Sequence, residues 1–353
     1  MDVSDFDYDL PQELIAQHPV EPRHNSRLLL VDRVNRTMRD RIFYDLPELL
    51  RAGDLLVFND TRVIPARLHG WKTGPGRAMV EVFLLKEHSA AADPNSGAGE
   101  WECLVKPGKR LKPGARIEFP GEVSGEICAF GPDGSRMIRF HGERAQGVNF
   151  RAWLAATGET PLPPYINAKL DNPERYQTVY ARQEGSVAAP TAGLHFTPEI
   201  LERLNGKGVS TAFLTLHVGI GTFRPVQVEK VEEHTMHPEV FTLPEELVRQ
   251  IAATKQAGGR VIAVGTTVVR VLESQAATNG ELRSGSGETA IFIYPGYRFK
   301  VVDALLTNFH LPKSTLLMLV SALAGRELIM ECYQHAVREH YRFFSFGDAM
   351  LIQ

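Results

Sequence analysis

His195 stands in a setting that could carry protons. It follows the small-residue run Pro190-Thr191-Ala192-Gly193-Leu194 and precedes Phe196-Thr197. An imidazole titrates near neutrality, so it could act as a general acid or base. His217 follows Leu216 at the end of a strand-like segment, and His310 lies in Thr307-Asn308-Phe309-His310-Leu311-Pro312. The alternative for a lone histidine is a buried ring held by backbone hydrogen bonds. Asn308 and His310 adjoin strongly apolar sequence, where polar groups need partners, either structural or from a ligand.

Two turns could bind anions. In Val264-Gly265-Thr266-Thr267 a β-branched strand enters a small-residue turn and then a helix, whose free N–H groups favour a carboxylate. A plain strand-to-helix connection is the other reading. In Gly219-Ile220-Gly221-Thr222-Phe223-Arg224-Pro225 the glycines allow close backbone approach, and Arg224 offers a planar fork to a carboxylate or phosphate; a tight turn would look the same. His234-Thr235-Met236-His237-Pro238-Glu239 has metal-ligand residue types, but Pro238 interrupts any helix and the H-E-x-x-H pattern is missing, so no metal is expected. Nothing matches G-x-G-x-x-G, a Walker A loop or a G-x-S-x-G elbow, which leaves dinucleotide-binding, kinase and hydrolase readings without support.

The elements that must position these residues change in texture along the chain. Arg27–Val31 and Asp54–Asn59 read as strands, and Tyr44–Ala52 as a short helix ended by Gly53. From Val63 to Phe140, short apolar stretches alternate with Pro-Gly turns, the pattern of a small antiparallel barrel or sandwich. Ser89–Gly99 reads as a hairpin tip. Beyond Arg151 the pattern is α/β. A helix is capped by Thr197 with Pro198 at its first position, and Ser210–Leu216 is a strand. Thr242-Leu243-Pro244-Glu245 has capping-box spacing for a helix closed by Gly258. Strand Val261–Val264, helix Val268–Gln275 and strand Ala290–Tyr294 follow. A helix capped by Ser314 or Thr315 runs to Ala324, and a last one spans Glu327–His340. The expected fold class is therefore an α/β main domain with a mixed sheet, residues 1–62 and 152–353, carrying an inserted small antiparallel β-barrel domain, residues 63–151.

Bulk properties agree with a globular enzyme. Of 353 residues 43% are hydrophobic and 23% charged, enough for a large core. The cysteines Cys103, Cys128 and Cys332 are too scattered for a disulfide framework, and the acidic start MDVSDFDYDLP lacks a signal-peptide core, so a cytoplasmic location is expected. The longest apolar run, Leu316–Ala324, is too short for a bilayer. Net charge is −3, yet Lys106–Arg116 holds five basic residues and no acid. That strip suits a phosphate backbone or a solvated loop.

Taken in order, twelve segments resemble one family, the S-adenosylmethionine:tRNA ribosyltransferase-isomerases of queuosine biosynthesis. They are Phe6-Asp7-Tyr8-Asp9-Leu10-Pro11, Ser26-Arg27-Leu28-Leu29, Asn59-Asp60-Thr61-Arg62-Val63, Leu162-Pro163-Pro164-Tyr165-Ile166, Tyr176–Ala181, Pro190–Thr197, Leu216–Val226, His234–Glu239, Gly265–Ser274, Ile291–Phe299, Thr307–Gly325 and Tyr341–Ile352. Phe346 stands where the family commonly has tyrosine.

The resemblance implies an α/β domain with an inserted β-barrel, and a reaction on tRNA bearing 7-aminomethyl-7-deazaguanine at the wobble position. S-adenosylmethionine would donate its ribosyl group, giving epoxyqueuosine-tRNA, adenine and methionine. The implied chemistry needs proton carriers and no metal. On this reading His195, His217 and His310 are catalytic candidates, with Asn308 orienting. Gly219, Gly221, Thr222, Arg224, Gly265, Thr266 and Thr267 would hold S-adenosylmethionine, and Arg62, Arg67, Lys106, Lys109, Arg110 and Lys112 would meet the tRNA backbone. A monomer without membrane contact is expected. The rivals are an S-adenosylmethionine methyltransferase, whose Gly-rich loop and acidic partner are not found, and a non-catalytic RNA-binding module, for which no RNP-type aromatic motif speaks.

Overall fold

The structure, a computed structural model, describes residues 1–74, 77–89, 99–142, 150–219, 221 and 226–353. Contacts divide the chain into two compact units, Met1–Arg62 with Pro163–Gln183 and Ala189–Gln353, and Val63–Leu162 with Glu184–Ala188.

The larger unit is built on a nine-stranded mixed sheet in the order Gly285–Thr289, Glu239–Leu243, Ser210–Leu216, Leu55–Asn59, Val261–Val264, Ala304–Asn308, Ala349–Ile352, Arg27–Asp32 and Thr37–Ile42. Ser210–Leu216, Leu55–Asn59, Val261–Val264 and Ala304–Asn308 are mutually parallel. In Leu55–Asn59, Val261–Val264 and Ala304–Asn308 every residue is buried, because helices and turns cover both faces; that is why they read as unbroken apolar runs. Thr197 caps helix Pro198–Gly206 through Oγ1, which accepts from the Ile200 N–H at 3.4 Å. Ser314 caps Thr315–Ala324 in the same way, accepting from Leu317 at 3.2 Å. Among the described residues no helix is long and apolar enough to cross a membrane.

The smaller unit is a closed six-stranded antiparallel barrel in the order Arg136–Gly142, Glu100–Lys106, Ala78–Ser89, Arg67–Lys72, Arg116–Phe119 and Val123–Phe130. Alternate residues fill its interior, among them Leu68, Val82, Trp101, Ile117, Ile127 and Phe140. Phe150, Trp153 and Leu154 of the helix Phe150–Thr157 join this core, with Trp153 Nε1 donating to the Pro120 carbonyl at 2.8 Å. The α/β fold with a small barrel is thus the architecture expected from the change in texture.

Three local expectations fail. The helix expected over Tyr44–Ala52 is only a 3₁₀ turn, Phe43–Asp45, and one turn of α-helix, Leu46–Leu49. Thr242 caps nothing: it lies in strand Glu239–Leu243 and its hydroxyl pairs with Ser286 Oγ at 2.8 Å, while helix Glu245–Gln256 starts after Pro244 without a side-chain cap. The strand expected over Ala290–Tyr294 is displaced to the polar segment Gly285–Thr289. There backbone pairing with Glu239–Leu243 decides the structure, and half-buried Phe292 packs instead on His234 and Tyr294.

Candidate active site at the carboxyl edge of the parallel strands

The four parallel strands end together in Leu216, Asn59, Val264 and Asn308, and this edge of an open α/β sheet is where ligands ordinarily bind. Strand Ala349–Ile352 returns antiparallel and Arg27–Asp32 runs parallel to it, so Ser26 reaches the same edge.

His195 is gripped on three sides. Its Nδ1 stands 2.7 Å from Ser26 Oγ, its Nε2 3.2 Å from Asn308 Nδ2, and its ring stacks on Phe43 with centroids 5.0 Å apart. Asn308 Nδ2 also donates to the Phe344 carbonyl at 3.1 Å, and its Oδ1 accepts from Thr191 Oγ1 at 3.2 Å. Because the amide nitrogen is the donor, Nε2 of His195 is the acceptor and Nδ1 carries the proton toward Ser26. Burial, with the nearby Arg342 and Arg23 guanidiniums, lowers the His195 pKa to about 3, so the ring is neutral at pH 7. An open recess of about 20 Å³, room for one water, is lined by His195, Ser26, Arg23, Arg342 and Phe346 among others.

His310 is also buried, and burial alone lowers its pKa to about 3. Its Nε2 stands 3.1 Å from Thr307 Oγ1, its N–H donates to Tyr333 Oη at 2.9 Å, and its carbonyl accepts from Tyr8 Oη.

A second cluster centres on Asn59. Its Oδ1 accepts from the N–H groups of Leu216 at 3.0 Å and Thr61 at 3.2 Å; its Nδ2 donates to the Leu216 carbonyl at 2.9 Å and to Thr267 Oγ1 at 3.3 Å. One amide therefore ties the ends of strands Leu55–Asn59 and Ser210–Leu216 to the first turn of helix Thr266–Gln275. His217, half-exposed, places Nδ1 2.9 Å from Thr61 Oγ1. Beyond it the Gly219 N–H donates to Glu239 Oε1 at 3.2 Å, and Glu239 Oε2 accepts from Arg270 Nη1. Gly265, at φ +92°, opens helix Thr266–Gln275, and Thr266 and Thr267 are buried in its first turn.

The structure thus brings His195 into contact with Asn308, and places His217, Gly219 and Thr267 around Asn59 and Glu239. Of the paired glycines, a Cβ on Gly221 would lie 2.8 Å from His237 Cδ2, so that exposed side chain would have to shift; among the described residues one at Gly219 would meet nothing within 4 Å. Thr222 and Arg224 lie outside the described residues. Lys106, Lys109, Arg110 and Lys112 are exposed on the barrel and form no ion pair among the described residues. Arg62 is instead paired with Glu174, and Arg67 sits in a barrel strand with Nε 3.8 Å from Glu81. In the histidine motif Glu239 is committed to Arg270 and Gly219, and no group of three or more His, Cys, Asp or Glu among the described residues could hold a metal.

Reading residue types alone overlooked Ser26, Asn59 and Arg270, and weighed Glu239 only as a metal ligand. Arg270 had a signal: it is the cation in Val268-Val269-Arg270-Val271-Leu272, a helix stretch apolar all round, which must be buried and must bury its charge.

Comparison with known proteins places this arrangement. The family model described as queuosine biosynthesis protein matches residues 3–352. A protein of Acetivibrio thermocellus and one of Symbiobacterium thermophilum, each named S-adenosylmethionine:tRNA ribosyltransferase-isomerase, are 56% and 58% identical to this chain over the full length of both partners. The crystal structure of an S-adenosylmethionine tRNA ribosyltransferase from Thermotoga maritima matches with a TM-score of 0.56 and 40% identity, covering 99% of this chain and 100% of that one. This chain belongs to the queuosine biosynthesis protein family, and like these relatives it is a transferase.

Proposed function

We propose that this chain transfers the ribosyl group of S-adenosylmethionine to 7-aminomethyl-7-deazaguanine at the tRNA wobble position and isomerises it, yielding epoxyqueuosine-tRNA, adenine and methionine. The observation that carries this reading is the convergence of His217, Asn59, Thr267 and the His195–Asn308 pair on one strand edge, in a chain of this family. The sulfonium acidifies the C5′ hydrogen. A base removes it, and the C4′–O4′ bond breaks to give a vinyl sulfonium while O4′ becomes the C1′ carbonyl and adenine departs; the aminomethyl nitrogen adds at C4′, the C5′ carbanion so formed attacks C1′ to close the carbocycle, and the C1′ oxygen displaces methionine from C5′ to form the epoxide.

Among the three histidines, the environment favours His217 as that base. Rings held at a pKa of about 3 are poor proton acceptors at pH 7, and both nitrogens of His195 are already engaged. His195 with Asn308 then serves as a neutral hydrogen-bonding pair that orients the substrate, and His310 fixes the turn after Asn308. The first-turn N–H groups of Thr266 and Thr267, with Gly265, Gly219 and Gly221, hold S-adenosylmethionine. Lys106, Lys109, Arg110 and Lys112 contact tRNA phosphates, since they are exposed and form no ion pair among the described residues. Arg62 and Arg67 join them only by giving up their carboxylate partners. The protein works in the cytoplasm as a monomer.

The test is incubation with precursor-modified tRNA and S-adenosylmethionine labelled in either ribose or methyl. Ribose label in the RNA, with adenine and methionine released, is expected. Methyl label in the RNA with S-adenosylhomocysteine would instead assign a methyltransferase. His217→Gln should lower turnover by roughly 10²–10⁴-fold with the fold intact.

A further inference from the structure

Arg270 is 4% exposed and sits one turn into helix Thr266–Gln275. A helical side chain slants toward its own N-terminus, so this guanidinium lies over the first turn, the turn that contains Thr266 and Thr267. Glu239 holds it through Nη1. Its other two donor atoms, Nε and Nη2, are buried and have no hydrogen-bond partner among the described residues.

Those two atoms form one edge of the planar group, the edge that grips a carboxylate with two parallel hydrogen bonds. Arg260 shows the use in this same chain: its Nε and Nη2 reach Asp54 Oδ1 at 3.0 Å and Oδ2 at 2.6 Å. Buried donors are expensive to leave unsatisfied, and a guanidinium keeps its charge in any setting. The group beside it is positioned to admit a ligand. Gly219 donates to the same Glu239, and among the described residues nothing lies within 4 Å of where its side chain would stand. The helix N-terminus adds positive potential.

We propose that the Nε–Nη2 edge of Arg270 binds the methionine carboxylate of S-adenosylmethionine, with Glu239 as the residue that aims it. This rests on the proposed ribosyl-transfer reading and names the part of the pocket that recognises the amino-acid end of the donor. It gives the carboxylate a charged partner, where the helix N-terminus alone would offer only dipoles.

The experiment is equilibrium binding of three ligands to the full chain: S-adenosylmethionine, its decarboxylated analogue, and 5′-methylthioadenosine, which lacks the amino-acid end. The native chain should prefer S-adenosylmethionine over the decarboxylated form by roughly 10- to 100-fold. Arg270→Lys keeps the charge and loses the two-pronged edge; it should bind the two within about 3-fold of each other, while 5′-methylthioadenosine binds as before and so reports an intact pocket. Glu239→Gln takes away the anion that aims the arginine, so its preference should shrink, with 5′-methylthioadenosine again bound as before. Undiminished preference in Arg270→Lys or in Glu239→Gln, or equal affinities in the native chain, would each overturn the assignment. A native chain that binds none of the three would instead sink the donor reading itself.

Discussion

Asn308 Nδ2 lies 3.2 Å from Nε2 of His195 and spends its other hydrogen on the Phe344 carbonyl, so the amide acts on the imidazole as a donor. This sets the tautomer. Asn308→Asp would set an acceptor against an acceptor in a buried site. The expected outcome is a loss of about 1–3 kcal/mol in stability and transfer of the ring proton to Nε2. Chemical denaturation and ¹⁵N shifts of the His195 ring check it; an unchanged tautomer would mean that the amide is turned the other way.

Burial of His195 and His310 makes stability depend on pH in a defined window. The ordinary pKa is 6.5 and the folded values are about 3. Below 6.5 the unfolded chain takes up protons that the folded chain refuses, so this stability is complete above about pH 6.5 and is lost as pH falls toward 3. Between pH 7 and pH 5 each ring should cost about 2 kcal/mol. Urea midpoints measured at the two values should move down accordingly, and a flat profile would show that the rings are not held neutral.

The exposed cations of the barrel should act through phosphate alone. Lys109→Ala with Arg110→Ala should weaken tRNA binding and flatten the plot of log affinity against log salt by about 1.4–1.8. An unaltered slope would return these residues to the solvent.

Gly70 lies inside the barrel wall, where a Cβ would stand 2.7 Å from the Glu118 carbonyl oxygen and 2.8 Å from Ile117 Cγ2. Two backbones and a packed side chain cannot yield there without opening strand pairing. Gly70→Ala should destabilise the barrel by roughly 1–3 kcal/mol, read from its thermal unfolding. An unshifted transition would contradict the packing described.

Much of the fold could be read locally. Thr197-Pro198 and Ser314 mark helix starts because a cap is a contact between neighbours in sequence. Buried parallel strands such as Val261–Val264 announce themselves as apolar runs. Local signals failed where a distant partner decides. Gly285–Thr289 is polar and becomes a strand only because Glu239–Leu243 lies beside it, and that pairing also takes Thr242 away from its apparent capping role.

The amino-acid sequence alone determined the α/β class, the small barrel and the family, and singled out His195, His217, His310 and Asn308 as candidates. Only the tertiary structure decided what those groups can do. The pKa of a histidine depends on how completely water is removed from it and on which guanidiniums stand near, and the reach of Arg270 depends on Glu239, 31 positions away. Such properties are set by neighbours in space, brought together by strand order, and no local spacing encodes them.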